Sequence, residues 1–385
     1  MSPATALSAD EARRLRQQSL LLAPAAHSAA ATTEPGTIVE WFGAMQAQDV
    51  ASGHWSFGVR LPGSTNADID RATAQRQIVR TWPMRGTIHF VPPPDVSWLL
   101  ELTGARMLRG VERRWQILGL DRRTVEAAAD AIGAALADGP LTRAQVLASL
   151  QAQGIDASGQ RGYHLLWFAS QTGVSVIGPQ RGKEQTFALA ADWLPPQREL
   201  DRDEALRTLA ERFFRSHGPA APTDFTGWTG LTATDTKAAV AMLGDKLAQV
   251  AVGERPLLCS AAALAAPGWH DDDVERLAAG AGVDELLVLP GFDEFLLGYK
   301  DRWLAADADA MAAVIPGGNG VFRNTVTIAG QVKATWTRTT RAKRIDVTVL
   351  PLPGWRTTKA VRTRLERAFK PYGEFLGLPV AVTFG

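Results

Sequence analysis

Only one cysteine, Cys259, stands among the 385 residues. One thiol closes no internal disulfide and builds no cysteine zinc cluster, so a stapled secreted fold is excluded. Histidine is scarce as well. The six, at 27, 54, 89, 164, 217 and 270, show no HxH or HExxH spacing, so a histidine metal site has weak support and no cofactor is expected. Long apolar runs are missing: no window approaches the ~18 residues of a membrane span, and 20–22 is too short for the core of a signal peptide. A cytoplasmic protein without membrane contact is expected. Net charge is almost absent, with 41 Lys and Arg against 40 Asp and Glu. That excludes a uniformly basic nucleic-acid coat and an acidic solvating chain. Tyrosine is rare, three against twelve tryptophans, and the tryptophans are expected mainly in the core.

What is present is a folded chain, 46% hydrophobic and 21% charged, long enough for about two to four domains. A pattern of helices followed by two strands occurs three times. The clearest copy runs from a capping box at Thr142–Gln145 through a helix at 162–172. Strands at 174–177 and 186–189 follow, separated by a basic, glycine-containing tip. A second copy spans 203–261, with helices at 203–217, 222–228 and 232–243 and strands at 246–252 and 256–260. The N-terminal copy is looser, with helices at 8–21, 37–45 and 66–74 and strands near 77–82 and 86–91. Helices followed by a hairpin make the pattern of a winged helix. The last 75 residues read as a strand meander at 321–329, 332–340 and 345–350, then a basic helix at 357–371. The expected fold is therefore α+β, tandem winged helix-turn-helix motifs with a C-terminal β-rich module. Its expected units are 1–130, 131–195 and 203–261, an acidic connecting region 262–310, and the basic module 311–385.

Near-neutrality conceals a partition. Residues 321–370 hold 12 Lys and Arg against Asp346 and Glu366, a surplus of +10, which leaves −9 on the rest of the chain. A smaller basic run is Arg106, Arg109, Arg113 and Arg114. A charged helix alone is often a solvated face, but strands and helix together point to a polyanion.

Residues 37–49 read TIVEWFGAMQAQD. Thr37 and Glu40 have capping-box spacing, and Ile38, Trp41, Phe42 and Met45 share one helical face. Gln46 and Gln48 are two apart, so both face one site only if the helix ends near Gln46 and the backbone extends, turning Ala47 inward. Ordinary polar exposure at a helix end is the alternative. Asp49 either adds negative charge there or caps the next segment.

The stretches MQAQD (45–49), RTWPMRGTIHFV (80–91), LPGFDEFLLGYKDR (289–302) and NGVFRNTV (319–326) stand in order along the chain. Together they make it one that resembles the AlkZ-like DNA glycosylases, a family of tandem winged-helix proteins. The resemblance implies a monofunctional, metal-free DNA glycosylase and casts Gln46 and Gln48, which match the family's Gln–apolar–Gln signature, as catalytic. The implied partner is double-stranded DNA containing alkylated bases, bound by a monomer through an open cleft that suits bulky lesions or interstrand crosslinks. The third and fourth stretches are expected to be scaffold.

A base alkylated at a ring nitrogen is already cationic, so its glycosidic bond is weakened and little general acid is needed. A carboxamide does not titrate near pH 7, but it can orient a water toward C1′. His89 is read as support or as a structural histidine. Arg85 either contacts phosphate or pairs with Asp95. Arg161 and His164, at a helix start, are candidates for the DNA backbone. So are Arg323, Lys333, Arg338, Arg341, Lys343 and Arg344, around a hairpin whose tip, Gly330-Gln331, is expected to approach a DNA groove. The rival reading is a non-catalytic winged-helix DNA-binding protein or transcriptional regulator.

Overall fold

A computed structural model describes residues 4–23, 34–266 and 286–385. It is a mixture of helices and mostly antiparallel sheets. His27, His270 and much of the acidic connecting region lie outside the described residues.

Three times, helices lead into an antiparallel hairpin. The first hairpin pairs Val79–Thr81 with His89–Val91, the second Ser175–Arg181 with Glu184–Leu189, and the third Leu247–Val252 with Arg255–Ser260. Arg80 pairs with Ile177, so the first two hairpins share one six-stranded sheet, closed at its ends by Met45–Gln46 and Leu141–Thr142. The third hairpin instead takes Thr5–Ala6 as a parallel neighbour. Thr5–Ala6 and the helix Ala9–Ser19 thus pack on the third unit, with Arg16 donating to the Pro219 carbonyl, while the Ser19 and Leu20 carbonyls accept from Trp41 and Arg60 of the first.

The expected break at 130/131 falls inside the helix Arg122–Ala135, which buries Val125, Ala128, Ala129, Ala131 and Ile132. That apolar face packs on the helices Arg143–Ala152 and Gln160–Gln171, so the helix goes with the second unit. The break at 310/311 also divides a packed unit. Leu286–Leu289 is a strand of the C-terminal sheet, followed by Asn324–Ile328, Gln331–Thr340, Ile345–Pro351 and, parallel, Val380–Phe384. Residues 286–310 are therefore a sheet edge and core, not a connector. The basic helix is two helices, Lys359–Ala368 and Lys370–Leu376, with Pro371 at the start of the second.

Trp55, Trp82, Trp98, Trp115, Trp167, Trp228 and Trp336 are buried, as a core role requires.

Candidate active site

The helix that carries Thr37 begins at Pro35 and stops at Phe42, three residues earlier than the apolar face extends. Gly43 ends it at φ +80°, and a Cβ there would meet the Arg212 side chain at 3.0 Å. Only glycine fits both demands. The capping box is absent too. Glu34 is the N-cap, the Thr37 hydroxyl donates to the Glu34 carbonyl, and Glu40 binds Arg212 and Arg198. Met45 keeps its burial, but on a strand.

Met45–Gln46 pairs antiparallel with Phe90 and His89. Beyond it the ladder continues in part through a side chain. Ala47 N–H donates to the Ile88 carbonyl at 2.8 Å, and Ile88 N–H donates to Gln48 Oε1 at 3.1 Å. Gln48 N–H in turn donates to Gln46 Oε1 at 2.6 Å. Because backbone N–H groups are only donors, these bonds fix which end of each carboxamide is oxygen. Gln46 is 8% exposed and Gln48 lies open to solvent. Ala47 is fully buried, and Arg80 donates to its carbonyl at 2.9 Å. Gly53, on the helix Val50–Gly58, lets that helix lie against the motif: a Cβ there would be 3.3 Å from Ala47 Cα. Asp49 caps this helix by accepting from Ser52 N–H at 2.7 Å.

Behind the strand lies a carboxylate. Glu294 is buried and accepts from Gln46 N–H at 2.9 Å, from Trp228 Nε1 at 2.9 Å, and contacts His217 Nε2 at 3.3 Å. Burial alone would raise its carboxyl, but the His217 ring and the Gln46 N–H outweigh that and hold it below the usual carboxylate range. The neighbouring Asp293 serves a different partner, meeting the buried Arg60 fork at 2.8 and 2.9 Å. The stretch expected to be scaffold therefore also reaches the glutamine motif. The signal was available: two adjacent acids inside Gly291-Phe292-Asp293-Glu294-Phe295-Leu296-Leu297 have to be paired when such a run is buried.

His89 is fully buried in the strand opposite Gln46, with Nδ1 donating to the Thr87 carbonyl at 2.9 Å and Nε2 without a protein partner. Burial, with the Arg85 charge beside it, pushes the imidazole down to about 4. It is a neutral member of the core at pH 7. As pH falls below 6.5 the unfolded chain takes up a proton that the folded chain refuses until about pH 4. Stability contributed by this group is thus complete above 6.5 and lost across that window, on the order of 3 kcal/mol. His89→Asn, which keeps a donor for Thr87, should unfold in urea with that much less loss between pH 7 and pH 4.5. Identical pH dependence in both proteins would contradict the assignment.

Arg85 does not pair with Asp95, which is occupied by Arg212 at 2.7 Å, Arg198 at 3.1 Å and Trp98 Nε1 at 2.9 Å. It sits instead at φ +56° in a tight turn with its Nε buried, against Gly230 and within the field of Glu294. Arg161 bonds the Asp156 and Leu118 carbonyls at 2.9 and 2.8 Å, tying two loops together. His164 packs edge-on to Tyr163 and Trp167, and burial lowers its pKa.

The hairpin expected to enter DNA tip first turns its tip inward. Ala329 and Gly330 make the turn with φ +48° and +72°, and Gly330 is buried against the Arg13 side chain. Lys333 reaches back to Gln331, and Arg338 stands over the Tyr372 ring at 6.0 Å. The exposed turn is the next one. It presents Arg341, Lys343 and Arg344, with Asp346 paired to the two arginines at 3.1 and 2.7 Å. Arg323 is exposed on the approach to the first strand of that hairpin. Among the described residues no group of three or more His, Cys, Asp or Glu is placed to hold a metal, and no helix is long and apolar enough to cross a membrane.

Known proteins are similar to this chain over most of its length. The Interstrand DNA cross-link repair glycosylase of Streptomyces sahachiroi is 25% identical over 306 residues, which are 76% of this chain and 79% of that protein. The solved structure of Streptomyces sahachiroi DNA glycosylase AlkZ shares the fold, with a TM-score of 0.75 at 23% identity over 98% of this chain and 100% of that one. The family described as DNA glycosylase AlkZ-like matches residues 39–375, from the helix before the glutamine pair to the last C-terminal helix, and the chain belongs to that family of DNA glycosylases.

Proposed function

We propose that this glycosylase releases bulky N-alkylated, cationic purines from duplex DNA, crosslinked ones included, with Gln46 and Gln48 organising the attacking water. The family supports the reaction class, and the name of the crosslink-repair relative favours, for this chain too, a bulky alkyl lesion as substrate. The observation that carries the site is an exposed Gln48 carboxamide whose oxygen accepts from Ile88 N–H, on a backbone whose N–H is held by Gln46 Oε1.

A carbonyl oxygen has two lone pairs. Gln48 Oε1 gives one to Ile88 N–H, and the other is free to accept from a water and turn it toward C1′. Gln46 uses its oxygen to hold Gln48's backbone, so its part is to position. Neither group abstracts a proton strongly, which suits a leaving base that already carries positive charge and poorly serves a neutral one. The three helix-plus-hairpin units are read as tandem winged helices lining an open cleft on a monomer acting in the cytoplasm. The exposed cations Arg323, Arg341, Lys343 and Arg344 are read as phosphate contacts, joined by Arg106, Arg109 and Arg113.

Incubation with a duplex carrying N7-methylguanine, followed by alkali, should cut the strand at the lesion. Tight binding without cleavage across several alkyl adducts would favour a non-catalytic DNA binder instead. The same duplex, titrated at several salt concentrations, tests the basic turn. Alanine at Arg341, Lys343 and Arg344 should flatten the slope of log K against log salt by about 2–3. An unchanged slope places the DNA elsewhere.

A further inference from the structure

We infer that Glu294 is a positioning residue of the glycosylase site, a buried carboxylate that fixes the backbone of Gln46 and keeps negative charge behind the Gln46–Gln48 strand. The inference rests on the reading of that strand as the reacting site.

Four segments converge on this one side chain. The strand Met45–Gln46 supplies a backbone N–H, the helix Pro222–Thr229 supplies Trp228, the helix Arg202–His217 supplies His217, and Glu294 itself opens the helix Glu294–Leu297. The support is rigid. The His217 ring stacks on Phe213 at 4.6 Å and its Nδ1 lies 2.8 Å from the Ser216 hydroxyl. Gly298 presses so closely that a Cβ there would be 2.2 Å from His217 Cδ2. Tyr299 donates its hydroxyl to the His217 carbonyl at 2.8 Å.

The contrast with Asp293 makes the case specific. Adjacent in sequence, the two acids serve opposite purposes. Asp293 is neutralised by a guanidinium fork and tied to Ser56, within the fold's interior. Glu294 takes neutral N–H donors from Gln46 and Trp228 and directs one oxygen at the strand that bears the glutamines. Ionised and out of water, it acts on the strand in two ways. It holds Gln46 at a fixed register, hence Gln48 through the Gln46 Oε1 bond, and it favours the positive charge that grows on the sugar as the base departs. The charged or titratable neighbours are His217, Arg85, and His89, which burial keeps neutral.

Glu294→Gln tests this. The amide keeps the size and a carbonyl for Gln46 N–H, but it removes the charge and turns NH₂ toward Trp228 Nε1–H and His217. Single-turnover excision of N7-methylguanine should slow at least about tenfold, while the Kd for the lesion duplex changes by no more than about twofold. Asp293→Asn is the control. It should lower the unfolding midpoint, yet excise at close to the wild-type rate when assayed well below that midpoint. Should Glu294→Gln fail to fold, Trp228→Phe removes one donor to the other Glu294 oxygen, the one facing away from Gln46 N–H, and should slow excision about threefold or more, again without weakening DNA binding. Wild-type excision by Glu294→Gln, or by Trp228→Phe where the first does not fold, would overturn the inference, as would a rate loss matched by an equal loss of DNA affinity. The double variant Gln46→Ala/Gln48→Ala separates the two claims. If it is inactive while Glu294→Gln is normal, only the role of Glu294 falls. If it excises normally, the site itself is misplaced.

Discussion

Arg60→Ala is expected to lower the free energy of unfolding by about 3–5 kcal/mol, because it leaves the Asp293 carboxylate buried without its counter-charge. Arg60 is fully buried and ties together three separate stretches of the chain. Its Nε donates to the Leu20 carbonyl at 2.9 Å, Nη1 to the Ser56 carbonyl and to Asp293, and Nη2 to the other Asp293 oxygen. Burying two charges is costly in itself, so the pair is weak evidence of net stability, but removing one partner exposes the full cost of the other. The surface pair Arg122–Glu126, 3.2 Å apart with both side chains more than half exposed, is the natural comparison. Arg122→Ala should change stability by less than about 1 kcal/mol. Urea unfolding of the two variants measures the difference. A loss from Arg60→Ala no larger than that from Arg122→Ala would mean that Asp293 is reached by water or repaired by its neighbours.

The parts of the fold that were legible in the sequence are those where local chemistry and packing agree. The Thr142 capping box is present as read, with Gln145 N–H donating to Thr142 Oγ1 and Thr142 N–H to Gln145 Oε1. The third hairpin falls within a residue of its expected strands. The helix Val50–Gly58 was not legible. Its residues, VASGHWSFG, are weak helix formers, and it exists because Asp49 caps it and Ser52 to Phe57 are buried. The early end of the Pro35–Phe42 helix was missed for the opposite reason, since the apolar spacing runs on to Met45 while Gly43 breaks the backbone. At the proposed site, the sequence pattern pointed to Gln46 and Gln48 but not to Glu294, Trp228 or His217, which come from 66 to 248 residues away from their partners. No periodicity reports such distances. The charge surplus in 321–370 was legible, yet which turn it exposes was set by Gly330 packing on Arg13 at the far end of the chain.

The two glutamines should not be equivalent when replaced singly. Gln48→Ala removes an exposed carboxamide whose oxygen serves Ile88 N–H, so its cost in stability should be about 1 kcal/mol or less, and its cost in single-turnover base release on the order of 10²-fold. Gln46→Ala removes a nearly buried side chain on which Gln48 N–H depends. It should slow release by a similar factor and also destabilise the fold by about 1–3 kcal/mol, since a part-buried N–H loses its acceptor. If the pair acts as one unit, the double variant will be little slower than either single, because the second loss removes a group already out of place. A pair that was merely polar surface would behave otherwise, with stability within about 0.5 kcal/mol of wild type and no change in rate. Comparing substrates adds a second axis. A carboxamide orients water without taking its proton, so the glutamines can help only where the base leaves readily. The drop on replacement should therefore appear with the cationic N7-methylguanine, while unmodified guanine should be released detectably by neither wild type nor variant. Release of unmodified guanine by the wild type would require a stronger acid or base than the Gln46–Gln48 strand provides, and the search for catalysis would move to Asp49, the exposed carboxylate that caps the next helix.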